Sequence, residues 1–188
     1  MAEGQLQVLG IAGSLRRHSF NRGLIEAARE LAPERMLIRT GDLAAIPLYN
    51  ADVQAEGDPE PVAALKAQIA AADALLIATP EYNHLLPGVL KNAIDWVSRP
   101  LATTVFRRKP VAIMGASGGS TGTARAQLGL RQVLASVECY VLPGPQVLVA
   151  NAADRFDADG RLTDERTREH IRALLAAFAE WVDRVRPR

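Results

Sequence analysis

The feature that most restricts what this chain can become is an alternation. Short runs rich in β-formers, at 7–12, near 35–39, and at 74–79, 111–114 and 140–149, are separated by longer stretches with helical spacing. That pattern predicts an α/β fold, a five-stranded parallel sheet with helices on both faces. Unbroken apolar character in the first and third runs suggests strands buried on both sides. Phe20, Leu24, Ile25, Ala28 and Leu31 form one helical stripe and Val89, Leu90, Ala93, Ile94 and Val97 another, both ordinary core packing. Near the C-terminus, Thr163 is the expected N-cap and Asp164 and Glu165 suit the helix dipole. Ile171, Leu174, Leu175, Phe178, Val182 and Val185 supply that helix's buried face. Residues 49–61, with Gly57, Pro59 and Pro61, read as a surface loop.

Size and charge narrow the classes. With 188 residues and 48% hydrophobic content the chain can build one well-buried core, so a single domain spanning 1–188 is expected. Lys and Arg number 22 against 21 Asp and Glu, interleaved and without a charged tail, which gives no support to a nucleic-acid role. No apolar run reaches the roughly 18 residues of a membrane helix, and MAEGQLQ lacks the regions of a signal peptide, so the expectation is no membrane and a cytoplasmic location. Cys139 is the sole cysteine and reads as a buried, inert thiol. With His18, His84 and His170 it has no metal-ligand spacing.

In an open parallel sheet, ligands bind where the carboxyl ends of strands meet helix starts. Three such turns are unusual here. After the first strand comes GSLRRHSFN, Gly13–Asn21, where small residues and N–H groups at a helix start favour a phosphate. Ser14, Ser19 and Asn21 add hydrogen bonds, and Arg16 adds a permanent charge. A merely capped helix would explain Ser19 but neither the long loop nor the double arginine. After the third strand comes TPEYNHLLPGVLKNAIDW, in which the N–H groups of Glu81, Tyr82 and Asn83 can meet the edge of a flat heteroaromatic, while a rigid connection with Tyr82 packed on its own helix remains open. Glu81 makes a doubtful general acid or base, since one loop carboxylate is more often solvated than catalytic.

The third turn, GASGGSTGTARAQLGLRQVL, raises a rival. Gly115-Ala-Ser117-Gly-Gly119 fits a nucleophile elbow, and Asp154 or Asp157 followed by His170 completes the chain order of a hydrolase triad. Against it, His170 falls inside the terminal helix, five strands are few for that fold, and the early glycine turn is already assigned to phosphate.

Together the three motifs resemble the NADPH-dependent FMN reductase family, including its chromate and quinone reductase members, over residues 8–149. The resemblance implies a flavodoxin-like fold with sheet order 2-1-3-4-5 and FMN across the three loops. It places Ser14, Leu15, Arg16, Ser19, Phe20 and Asn21 at the phosphate and ribityl chain, Pro80, Glu81, Tyr82 and Asn83 at the isoalloxazine ring, and Ser117 at a further flavin contact. Arg17 and His18 fall in a variable stretch of the motif. NADPH, or NADH, is the implied cosubstrate and a quinone, free flavin, azo compound or chromate the acceptor, in a ping-pong cycle. An electron carrier of the flavodoxin kind is the alternative, disfavoured because Tyr82 is the only aromatic in these loops' ring-binding part and the net charge is near neutral. The glycine-rich third loop should leave a flavin face open to the nicotinamide. A homodimer or homotetramer is implied as well, with Trp96, Val97, Leu128 and Val133 as candidates for its surface. Arg99, Arg107, Arg108 and Lys109 precede the fourth strand and read as a solvated face at the opposite sheet edge.

Overall fold

The computed structural model describes residues 4–185. Six parallel strands follow the expected alternation: β1 (Leu6–Ala12), β2 (Met36–Gly41), β3 (Ala74–Ala78), β4 (Pro110–Ala116), β5 (Tyr140–Val141) and β6 (Val147–Val149). They pair in the order β2-β1-β3-β4-β5, with β6 also on β4. β3 and β4 are buried along their whole length, which is why their sequences show no polar alternation.

The expected fifth strand is two short ones. β5 pairs with Pro110 and Val111, and β6 with Met114, Gly115 and Ala116. Between them lie Pro143 and Pro145, which have no N–H to give to a ladder, so pairing lapses and resumes on the same neighbour.

Helices α1 (Phe20–Leu31), α2 (Ala51–Ala55), α3 (Glu60–Ala71), α4 (Gly88–Val97), α5 (Ala124–Ser136) and α6 (Glu165–Val185) cover the sheet. α1 and α6 pack over one face through Leu24, Ile25, Leu174 and Phe178; α3, α4 and α5 cover the other through Leu65, Ile69, Leu90, Ile94 and Leu130. Two expectations need correction. The stretch 49–61 is not all loop: Asn50 caps α2 through its side chain, and the proline pair Pro59 and Pro61 opens α3. The cap of α6 is Asp164, whose carboxylate accepts from the Thr167 N–H at 2.9 Å, while the Thr163 hydroxyl donates to Arg155 O. The Thr167 hydroxyl on the same carboxylate holds the Asp164 pKa below its ordinary value.

Cys139 lies in the second core, where burial pushes its thiol up to about 12 and the charge of Lys109 only partly opposes this. Arg107 pairs with Glu138 just ahead of β4, at the sheet edge away from the three loops. Among the described residues no helix is long and apolar enough to cross a membrane. No cluster of three or more His, Cys, Asp or Glu could hold a metal ion there either.

Candidate functional site

Register brings the three unusual turns together. Ala12 of β1 stands beside Ala78 of β3, and Ala78 beside Met114 of β4, so the chain leaves all three strands at one edge. The loops then lock in sequence: Gly13 N–H donates to Ala78 O at 2.8 Å, Thr79 N–H to Met114 O at 3.0 Å, and Ser117 N–H to Val149 O at 3.0 Å. Gly13 approaches Pro80, Pro87 and Leu90 so closely that a Cβ would crowd all three. At Gly115 a Cβ would run into Thr123 and the Thr79 carbonyl. These two glycines are therefore the price of bringing neighbouring loops into contact.

The first loop is rich in unengaged donors. The backbone N–H groups of Leu15, Arg17, His18 and Phe20 have no hydrogen-bond partner among the described residues. Ser19 caps α1 as expected, its hydroxyl accepting from Asn21 N and Arg22 N. Ser14 is 4% exposed and its hydroxyl accepts weakly from Arg16 N at 3.4 Å. Arg16 has no ion-pair partner among the described residues, and its guanidinium stands 5.7 Å from the centre of the Phe20 ring. Leu15 projects into solvent. Free N–H groups at a helix start, beside an arginine without an ion pair, are an arrangement suited to an anion.

Asn21 sits at the predicted place with a more specific task. Its side-chain amide donates to Ala116 O and accepts from Ala116 N–H, both at 2.9 Å, in a fully buried position. The pair works like one rung of a β-ladder and fastens the first loop to the end of β4.

The second loop is more closed than its sequence suggests. Of the three N–H groups expected to face a ligand, that of Tyr82 donates to Leu85 O at 3.0 Å, and Leu85 N–H returns the bond. Asn83 and His84 form a two-residue turn between them with positive φ of 50° and 69°. Tyr82 is half exposed rather than packed on its helix. Pro80 is buried, and the Glu81 carboxylate reaches across to the start of α5, accepting from Arg125 N–H and Ala126 N–H at 3.0 and 3.1 Å.

In the third loop Ser117 has no base. Its hydroxyl donates to Gly122 O at 2.5 Å and accepts from Gly119 N–H at 3.2 Å, which makes it the centre of a turn. His170 is exposed on α6 and shares no hydrogen bond with Ser117, Asp154 or Asp157. A Cβ on Gly118 would meet nothing, and one on Gly119 only the Ser117 hydroxyl at ordinary contact distance. The hydrolase arrangement is thus not assembled.

Three contributions escaped the sequence reading. Arg125 and Glu81 join the second loop to α5 across 44 residues, a pairing that no local pattern encodes. Phe156 and Leu162 bridge a hairpin that backs the first loop: the Phe156 ring lies 5.0 Å from that of Phe20, tilted by 37°, and Gly23 presses on the Gly160 carbonyl. The Asp159-Gly160 pair was a readable turn signal. Buried Gln127 donates to Thr123 and to Val147 O, tying α5 to β6.

Comparison with known proteins gives a consistent result. Residues 6–154 match the model of the family described as NADPH-dependent FMN reductase. An NAD(P)H-dependent FMN reductase of Pseudomonas aeruginosa is 51% identical, over 96% of this chain and 97% of its own. A 2-hydroxy-1,4-benzoquinone reductase of a Burkholderia species is 43% identical, over 94% and 96%. The solved structure of FerB, a flavoenzyme NAD(P)H:(acceptor) oxidoreductase from Paracoccus denitrificans, superposes with a TM-score of 0.87 at 36% identity, covering 96% and 98%. Fold, strand-end loops and full-length similarity agree, and the chain belongs to the NADPH-dependent FMN reductase family, a family of oxidoreductases.

Proposed function

We propose that this protein holds FMN non-covalently across its three strand-end loops and works as an NAD(P)H-dependent reductase of a small acceptor, in a ping-pong cycle. The observation that carries the reading is the first loop, where unengaged N–H groups converge with the unpaired Arg16. A phosphate monoester satisfies both, and nothing else in the loop neutralises that arginine. When bound, FMN supplies reversible hydride transfer between a nicotinamide and an acceptor.

The chain's own groups bind, orient and leave room. Ser14, Arg16, Ser19 and the N–H groups from Leu15 to Phe20 take the phosphate and ribityl chain, with Asn21 holding that loop to β4. The ring lies against Pro80, Glu81, Tyr82 and Asn83, where the Glu81 and Asn83 N–H groups remain without partners among the described residues. Ser117 shapes the third loop, and bare Gly118 and Gly119 keep one side open for nicotinamide and acceptor in turn. NADPH or NADH is the donor and a quinone or free flavin the favoured acceptor, in keeping with the names of the family and the relatives.

The single 1–188 domain assembles, in this reading, as a homodimer or homotetramer. Of the proposed surface residues Leu128 is 71% exposed, but Trp96 and Val97 are core residues and drop out. Trp96 is buried because α4 turns it under the 46–50 segment, where its indole N–H donates to Pro47 O.

The test is direct. Purified protein mixed with FMN should show a bound-flavin spectrum that bleaches anaerobically with NADPH and recovers on adding a quinone. No bound flavin would sink the reading; bound flavin that neither NADPH nor NADH bleaches would point to an electron carrier.

A further inference from the structure

Helix α5 begins without a cap of its own. Thr123 stands at the N-cap position but makes no capping bond with its side chain. The missing acceptor comes from another loop. Glu81, at the end of β3, turns a carboxylate only 9% exposed to the first turn of α5, where one oxygen accepts from the N–H groups of Arg125 and Ala126. The other oxygen lies 3.3 Å from the Arg125 guanidinium and 4.0 Å from His84 Nδ1. Two orphan donors and the positive end of the helix dipole are satisfied by one side chain from a distant segment.

This contact spans the second and third loops, the two between which the flavin ring lies in the proposed function. Glu81 is also the residue next to Pro80 and Tyr82, so fixing its side chain fixes the backbone that carries the ring-edge N–H groups. A carboxylate aimed at a helix start is not aimed at a reacting ring.

We propose that Glu81 is a positioning residue: its carboxylate clamps the second loop to α5 and so preforms the ring-binding groove, without transferring a proton. The inference rests on the FMN reading above. An amide can still accept from the Arg125 and Ala126 N–H groups, whereas a methyl cannot, and this separates Glu81→Gln from Glu81→Ala.

Three measurements on the full chain test it. In the flavin-free protein, amide hydrogen exchange at Arg125 and Ala126 should quicken at least about tenfold in Glu81→Ala and stay near the unsubstituted rate in Glu81→Gln. FMN and riboflavin should both bind about tenfold more weakly to Glu81→Ala, by the same factor because the phosphate loop is untouched, and within about threefold of normal to Glu81→Gln. The pH profile of flavin reduction should keep its shape in Glu81→Gln. Should Glu81→Ala fail to fold, the glutamine variant still decides: a loss as deep as about a hundredfold, or a vanished limb of the pH profile, marks a proton-transfer group and overturns the proposal. Exchange and binding unchanged in Glu81→Ala overturn it as well. If the unsubstituted protein binds no FMN, the parent reading falls and the ring-groove role falls with it.

Discussion

The loops after β1 and β4 sit on the same edge of one sheet but differ in what they present: the first carries an arginine without an ion pair, the third a serine tied into its own turn beside bare glycines. The first keeps polar groups unengaged: the backbone N–H groups of Leu15, Arg17, His18 and Phe20 have no hydrogen-bond partner, and the Arg16 guanidinium no ion pair, among the described residues. The third is organised around one fully engaged residue. Ser117 uses its N–H on Val149, its carbonyl on Ala152 and its hydroxyl on Gly122, while the Gly119 carbonyl takes the Asn151 N–H. Unpaired donors next to solvent are tolerable only where water or a ligand meets them. A site therefore can offer charge in one place and empty space in another, and the two offers call for different experiments.

The sharpest test of the empty space is Gly119→Trp. Since a Cβ there meets only the Ser117 hydroxyl at 3.6 Å and φ is not positive, the backbone tolerates a side chain. The indole then occupies the open side, and reduction of bound FMN by NADPH should slow by about a hundredfold or more while FMN stays bound, since a ~1 Å displacement from near-attack geometry can cost that much. Stopped-flow reduction of the FMN-loaded variant reads the effect. Unchanged rates with FMN intact would mean that the nicotinamide approaches elsewhere.

Next in size is the link between the two regions. Asn21→Ala leaves the Ala116 N–H and C=O buried without partners, which should lower unfolding free energy by about 2 to 4 kcal/mol in a denaturant titration. If stability hardly changes, the first loop does not depend on β4 for its shape. Arg16→Ala tests the charge: FMN should bind about tenfold to a hundredfold more weakly, at roughly 1.5 to 3 kcal/mol for a charge-assisted contact, with riboflavin nearly unaffected. Equal losses for both ligands would separate Arg16 from the phosphate.

The contrast also explains what could be read from the sequence. Strand positions, helix stripes and the cap at Ser19 are local or periodic and were legible, whereas the strand order followed from the family resemblance. The break between β5 and β6 was signalled by Pro143 and Pro145, but continuous apolar character on both sides masked it. At the site, residue types at strand ends gave the position of all three loops. What each side chain touches was not legible, because it depends on partners far along the chain: Ala116 for Asn21, 95 residues away, and Arg125 for Glu81. The burial of Trp96 is hidden for the same reason, since its cover comes from Pro47 and Tyr49, well before it in the chain.

The smallest expected effect comes from Ser117→Ala, and it discriminates most finely between the two kinds of loop. The hydroxyl is engaged at both ends inside its own turn, donating to Gly122 O and accepting from Gly119 N–H, so its removal loosens the third loop without withdrawing a charge. Each bond of that kind contributes about 1 kcal/mol, and because both shape the turn without touching the flavin, only part of that reaches flavin affinity, a loss of less than about tenfold. Since the proposed function sets this turn beside the ring and not the phosphate, FMN and riboflavin should weaken by the same factor, unlike the split expected for Arg16→Ala. A loss confined to FMN would move Ser117 to the phosphate end of the site. The same variant closes the older ambiguity of the Gly-x-Ser-x-Gly pattern: with His170 exposed on α6 and no base on the hydroxyl, hydrolysis of a simple aryl ester should be no different from that of the unsubstituted protein. Ester hydrolysis that vanishes with Ser117 would show a nucleophile where the geometry has only a turn.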